Sequence, residues 1–272
     1  MKVLFAAAVV LGLVPAVSAS AGQRMILLSD SLAANADKLT VKQGTQWMGR
    51  IFRWSFGDYS VLSSKNSGTT STSSRNLFHT KTDSTAVAAF SFKLDNKTAD
   101  VAFVDAAHNV GVQTLQGFPL GHGFFLGKDE VALESDNFTA FITVNGDTSD
   151  TWALYIGGTT VPGPTSDTRT MQSGGMFLTN GTRKVRLVCA SSNKNGCDPQ
   201  SISIFKIPAV GFEFFEGDRP LGAVQYFGGT FGVTYLVWLR RDSEPRMNLI
   251  LAAAMTAILQ LETSRRMEPA GD

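Results

Sequence analysis

The residues best suited to chemistry in this sequence are histidines, and they form no familiar metal-binding or catalytic motif. His79, His108 and His122 are spread along the chain, without the HExxH spacing of a zinc site. We expect each of them to lie at the surface or in a turn. The sequence therefore predicts no metal site, no cofactor and no catalytic histidine.

Signatures of a nucleophile or a pair of acids are also weak. Ser191 to Lys194 matches SxxK, but it falls in a predicted hairpin loop and no KTG motif accompanies it. Five acidic residues could supply a carboxylate pair for glycoside cleavage, although solvated charges at strand ends are the competing interpretation. They are Asp129, Glu130, Glu213, Glu216 and Asp218. A hydrolase with dispersed catalytic residues stays an alternative.

Phosphate and nucleic-acid binding are not indicated. Gly228, Gly229 and Gly232 are not followed by a predicted helix, as a phosphate-binding loop would be. Without residues 1–21 the chain loses one base, Lys2, from its 24 Lys and Arg, which leaves 23 bases against 23 acids. A neutral chain with no basic run lacks the charge surplus that nucleic-acid binding requires.

The N-terminus has the pattern of an export signal. Lys2 supplies a positive charge, Val3 to Val14 is apolar, and small residues follow Pro15. We predict cleavage after Ala21, with Ala19 as the second candidate. An uncleaved anchor is disfavoured because glycine and proline interrupt the apolar stretch. The protein is therefore expected to be secreted or periplasmic.

Two cysteines in an exported protein predict a disulfide between Cys189 and Cys197. Alternating segments at 183–189 and 201–207 flank the turn signal Asn195-Gly196, so the bond would hold a hairpin together. Closing its nine-residue loop would contribute roughly 2.5 kcal/mol.

Most of the remaining sequence alternates apolar and polar residues in short segments, which is typical of β-strands. At least ten such segments occur with no helical period between them, which favours an antiparallel barrel or a closed sandwich. Ser63–Ser74 and Gly157–Thr170 are rich in small, polar or proline residues and are predicted to be long loops. The 19 Phe and the Trp residues are expected to fill the core.

The C-terminal segment predicts a buried helix over 246–262, followed by a charged tail. Met247–Leu261 carries no charge, and its large side chains fall on every face of a helix. At about 22 Å it is shorter than the roughly 30 Å hydrocarbon layer. Burial in the chain's own interior is the simplest outcome, although a partner protein could also take it. The side chains expected to be buried are Leu249, Ile250, Leu251, Met255, Ile258 and Leu259.

The order of elements at this end resembles the Tubby C-terminal-like superfamily, with its LURP-one-related and scramblase-like members. The strand Tyr235–Leu239, the polar link Arg240–Pro245 and the apolar helix carry the resemblance, which covers at most residues 46–262. It implies a barrel around a helix, acting as a membrane-linked or regulatory module. Those proteins largely act inside cells, so no phosphoinositide or scramblase function is carried over to an exported chain.

These observations predict a mainly β fold, an antiparallel β-barrel (or closed sandwich) around a buried apolar C-terminal α-helix, as a single domain over residues 22–272. The leading hypothesis is a non-enzymatic exported module that binds a ligand or acts at the cell envelope, with a lipid, a membrane surface or a protein as the partner. The alternatives are the dispersed hydrolase and an assembly protein that offers its C-terminal helix to a partner.

Overall fold

The structure is a computed structural model that describes residues 25–44, 53–75, 81–115, 118–121, 124–126, 130–162, 169–193, 208–228 and 234–267. The predicted signal segment and both candidate cleavage positions lie outside these ranges and stay predictions. The same holds for Cys197, and therefore for the disulfide: Cys189 alone is described, half-buried on a strand.

The described residues form fifteen strands and two α-helices. The strands are β1 (Ala36–Thr40), β2 (Lys42–Gln43), β3 (Trp54–Phe56), β4 (Tyr59–Arg75), β5 (Lys81–Asp95), β6 (Val101–Leu115), β7 (Phe118–Gly121), β8 (Phe124–Leu126), β9 (Glu130–Val144), β10 (Trp152–Pro162), β11 (Arg169–Thr179), β12 (Lys184–Ser191), β13 (Val210–Glu216), β14 (Arg219–Phe227) and β15 (Leu236–Arg240). The helices are α1 (Asp30–Asn35) and α2 (Pro245–Met267), and a short 3₁₀ turn covers Thr148–Asp150.

Thirteen of the strands form one antiparallel sheet in the order β1-β15-β14-β13-β12-β11-β10-β9-β6-β5-β4-β3-β2. The two edges of this sheet belong to the same stretch of chain. Residues 36–40 pair with β15, and residues 42–43 pair with β3. Between them Val41 donates its N–H to the Tyr235 carbonyl at 3.2 Å. The sheet therefore wraps into a nearly closed barrel, which leaves few free edge groups.

Helix α2 fills this barrel, as the sequence predicts. All six side chains expected to be buried are at most 2% exposed. The helix is long and apolar enough to cross a membrane by composition, but 83% of its apolar stretch is buried in the protein. It begins one residue before the predicted start and continues to Met267, because Arg265 in its last turn binds the barrel wall.

The prediction of a long loop at Ser63–Ser74 is wrong, since the whole stretch belongs to β4. Its residues pair with β5 along nearly their full length, from Ser60 to Arg75. Threonine suits a pleated strand, and a neighbouring strand satisfies the backbone whatever the side chains are. The second predicted loop is wrong in part: β10 runs to Pro162 and β11 begins at Arg169, while residues 163–168 lie outside the described ranges.

Candidate functional site

The interior of the barrel is occupied by its own side chains. Trp54, Trp152, Phe138 and Phe214 point inwards against α2 and are at most 2% exposed. In the described part of the barrel the interior is thus filled by packed side chains. The outer wall and the rims are where the described residues offer surface to a ligand.

Five aromatic residues lie on the outer wall, on neighbouring strands. They are Phe103, Phe141, Tyr155, Phe177 and Phe215, and together with Lys93, Lys184 and Arg186 we call them the outer band. Each band aromatic is flanked in sequence by a residue that points into the core. The strand period of two therefore places the band aromatics outside.

The register of the sheet brings the band residues together. Tyr155 pairs with Phe177, Phe177 with Arg186 and Arg186 with Phe215, so four strands contribute one continuous row. The rings of Tyr155 and Phe177 are 5.6 Å apart. Phe141 continues the row, since it lies diagonally from Tyr155 on the adjacent strand and is 54% exposed.

The three basic residues of the band each lie over an aromatic ring. The Lys93 ammonium is 5.0 Å from the Phe103 ring centre, and the Lys184 ammonium is 4.5 Å from that of Phe177. The Arg186 guanidinium lies 5.9 Å from the Phe215 ring centre. Such contacts contribute about 0.5–1 kcal/mol each at exposed sites. No carboxylate within the described ranges forms a salt bridge with these three cations, so their charge is available to an anion.

A groove opens in the wall next to the band, between β11 and β12. These strands pair over only three positions in the described residues, from Phe177 with Arg186 to Thr179 with Lys184. Beyond this point β11 leaves β12, and a groove of about 570 Å³ results. Its lining residues include Met176, Phe177, Leu187, Phe215, Lys184 and Arg186.

Glycines explain why β11 leaves its neighbour here. The register between β10 and β11 shifts after Ile156, which marks a bulge opposite Gly175. Gly175 has φ +86°, a left-handed conformation that side chains disfavour. A Cβ on Gly157 would lie 2.4 Å from Asn137 Oδ1 and 2.5 Å from the Tyr155 hydroxyl oxygen. A bulge of this kind bends a strand and ends regular pairing.

A second polar cluster lies at the rim where α2 ends. His108 Nε2 is 2.8 Å from Asp136 Oδ1, and Arg265 Nη2 donates to the same oxygen at 2.6 Å. Arg265 Nη1 also binds Glu262 Oε1 at 2.6 Å. Burial alone would raise the pKa of Asp136. The hydrogen bond with His108 and the charge and hydrogen bond of Arg265 outweigh burial and hold that pKa below its ordinary value.

This cluster has the composition of a catalytic His–Asp pair, but its geometry indicates a structural role that holds α2 against the barrel wall. The Asp136 carboxylate is bound by Arg265 through both oxygens, so it is held as a structural anion. Burial by itself would lower the pKa of the Arg265 guanidinium, and the charges of Glu262 and Asp136 reverse this and raise it. The cluster thus ties the last turn of α2 to β6 and β9.

The histidine prediction is therefore wrong for the one histidine that the structure describes. His108 is 7% exposed on the inner face of β6, because strand alternation continues inwards from Ala106. His79 and His122 lie outside the described residues. No group of three or more His, Cys, Asp or Glu side chains in the described ranges could hold a metal ion.

The acidic candidates do not come together. Glu213 is buried on the outer face of β13, where it accepts hydrogen bonds from the Ser29 hydroxyl and the Ser29 N–H under the N-terminal segment. Glu216 instead forms a bidentate salt bridge with Arg183, and this hydrogen bonding lowers the Glu216 pKa. Asp218 is exposed at the turn after β13. Asp129 lies outside the described residues, as does Lys194 of the SxxK match, and Glu130 begins β9.

The outer band was not predicted from the sequence, because aromatic residues in a β protein are expected in the core. A usable signal was present, since apolar residues occupy both alternating faces at Ala102–Val104, Ala140–Ile142 and Met176–Leu178. Such triplets indicate a strand with an apolar outer face. Which triplets become neighbours depends on the sheet order.

Comparison with known proteins adds no assignment: no family model, no curated protein and no solved structure matches this chain.

Proposed function

We propose that this protein is an exported, non-enzymatic β-barrel module that binds an anionic ligand with apolar surface, at the cell envelope or in the secreted space. The outer band is its binding face. The observation that carries the proposal is the row of outward-facing rings whose cations, Lys93, Lys184 and Arg186, have no carboxylate partner among the described residues.

The packing of the barrel supports a binding face on the outside. Helix α2 occupies the described interior, where a barrel of the lipocalin type holds its ligand. Asp105 beside Phe141 and Asp218 beyond Phe215 border the band. They limit its positive charge, so the ligand must bring apolar surface as well as negative charge. Contiguous apolar surface on an exported protein is typical of a binding site.

The two alternatives are less well supported. A dispersed hydrolase would need an acid or base free to meet substrate, and three of the described acids are engaged: Asp136 with Arg265, Glu213 with Ser29 and Glu216 with Arg183. An assembly protein that offers α2 to a partner would need an apolar helix face outside the barrel, and α2 is buried from Leu249 to Leu261. The likeness to the Tubby C-terminal-like barrels stays a proposal that rests on architecture.

The test uses anilinonaphthalene sulfonate, an aromatic anion whose fluorescence rises when it binds. We expect saturable binding to the folded protein, and about tenfold weaker binding to the Lys184→Gln, Arg186→Gln double variant, from two charges at about 0.7 kcal/mol each. The matched control is Lys38→Gln with Lys42→Gln, two exposed lysines on the opposite edge strands. The dye affinity of this control should stay within twofold of that of the unmodified protein, a difference on the order of 0.4 kcal/mol.

Folding must be verified alongside, because this dye also binds molten states. Near-ultraviolet circular dichroism should be the same for all three proteins. Equal dye affinity in the band variant and the control variant would refute the outer band as the binding face.

A further inference from the structure

The groove between β11 and β12 is lined in part by residues whose side chains belong to the inner face. Met176 and Leu187 both pack with the core cluster, yet both line the groove. The last residue pair between the two strands is Phe177 with Arg186. Met176 and Leu187 are the next residues on each strand, where the strands are no longer paired. The floor of the groove is therefore apolar.

The rim of the groove carries the band's positive charge. Lys184 and Arg186 stand on one side, over the rings of Phe177 and Phe215. Asp218 lines the groove at the turn beyond Phe215. A negative group would thus be drawn to the lysine and arginine side, with apolar walls leading inwards from it. Apolar clefts of about 300–1,000 Å³ with a few polar groups at the mouth are typical small-molecule sites.

We propose that this groove binds a single-chain alkyl anion, with its acid group between Lys184 and Arg186 and its chain against Met176 and Leu187. This inference rests on the proposed function, because it names the ligand class and the place on the outer band where the ligand enters. A free amphiphile fits better than a bilayer surface. The rings of Phe177 and Phe215 are half-buried, so they are poorly placed to insert into a bilayer.

The first experiment titrates the protein with octanoate, decanoate and dodecanoate below their critical micelle concentrations and measures the heat of binding by calorimetry. Each methylene that enters the groove should tighten binding about fourfold, the equivalent of about 0.8 kcal/mol. A neutral dodecyl glycoside and dodecyltrimethylammonium serve as headgroup controls. Both should bind at least tenfold more weakly than dodecanoate if the cationic rim selects the headgroup, about 1.4 kcal/mol.

The matched variants are Met176→Trp, which fills the groove, and Met25→Trp, which places the same ring on the exposed N-terminal segment. Met176→Trp should abolish the increase in affinity with chain length, and Met25→Trp should keep that increase. A second measurement needs no variant: in protein labelled at its methionine methyl groups, stearate with a nitroxide near its chain end should broaden the Met176 signal and spare Met25. It decides the question even if Met176→Trp does not fold.

The outcomes separate the two proposals. If dodecanoate binds no more tightly than octanoate and the Met176 signal is not broadened, while anilinonaphthalene sulfonate still requires Lys184 and Arg186, the groove proposal fails and the outer band stands. If neither the alkyl anions nor the dye bind saturably, both proposals fail. Chain-length dependence that disappears in Met176→Trp supports both.

Discussion

Arg265, in the last turn of α2, donates from Nη2 to both carboxylate oxygens of Asp136 on β9, at 2.6 and 2.7 Å. The two residues are 129 positions apart, so no local pattern relates them. A cation in the last turn also interacts favourably with the helix dipole. Because α2 cannot slide along the barrel without breaking this pair, the pair fixes the position of the core helix.

The first prediction concerns this pair. Arg265→Met should lower the free energy of unfolding by about 1–3 kcal/mol, because it leaves the half-buried Asp136 carboxylate without its main partner. Arg241→Met is the control: its pair with Asp37 is exposed on both sides, and surface pairs contribute at most about 1 kcal/mol. Urea unfolding measures both. Similar losses of unfolding free energy in the two variants would show that the rim cluster does not stabilise the position of α2.

The acid side of the stability profile provides the second prediction. The pKa of Asp136 is lowered from its ordinary 3.8 in the folded protein, so the ionised carboxylate stabilises the fold above that value. The contribution disappears as the pH falls through the lowered folded-state pKa. Asp136→Asn should therefore be less stable than the unmodified protein near neutrality, with a smaller loss of stability between about pH 5 and about pH 3.

Urea midpoints across this range provide the measurement. Asp58→Asn is the comparison, because the Asp58 pair with Lys97 is exposed and contributes little. Parallel profiles for Asp136→Asn and the unmodified protein would contradict the assignment of acid sensitivity to Asp136.

The third prediction tests the bend in β11. Gly175→Ala places a side chain at φ +86° and should cost about 1–2 kcal/mol. Gly175→Asn should recover part of that loss, because asparagine adopts the left-handed conformation more readily than alanine. Thermal unfolding compares the two variants. A loss that is equal in both would contradict backbone strain as the cause, since the nearest atom to the added Cβ is a Phe177 ring carbon at 3.7 Å, an ordinary van der Waals distance.

The fourth prediction tests α2 as the core of the barrel. Leu251 is 0% exposed, and Leu251→Ala should cost about 2–5 kcal/mol through lost burial and the cavity left behind. Leu62→Ala removes the same atoms from a side chain that is 52% exposed and should cost less than about 0.5 kcal/mol. Deleting residues 246–272 should prevent folding. A soluble and folded truncation would overturn the view that α2 is the core.

Much of the fold was predictable from local patterns. Alternation such as Phe90, Phe92 and Leu94 against Ser91 and Lys93 reports which face of a strand is buried, since side chains alternate across it. The uncharged stretch after Pro245 indicates a helix that must be enclosed. The prediction failed where composition was used alone, as at Ser63–Ser74, because pairing with β5 outweighs the turn-like composition of that strand.

The candidate site was much less predictable. Phe141, Tyr155, Phe177 and Phe215 look alike in sequence to the aromatic residues that fill the core. Their exposure depends on the pairing of β9 to β13, and the groove depends on where β11 leaves β12. His108 likewise gained its partner only when β6 and β9 became neighbours.

The sequence by itself determined the strand-rich body and the apolar terminal helix, because residue periodicity and the absence of charge act over a few neighbouring positions. The tertiary structure alone decided that residues 36–43 join both edges of the sheet, that Arg265 meets Asp136, and that rings and cations from separate strands share one face. These relationships connect residues far apart in the chain, and only the register and order of the paired strands bring such residues within contact distance.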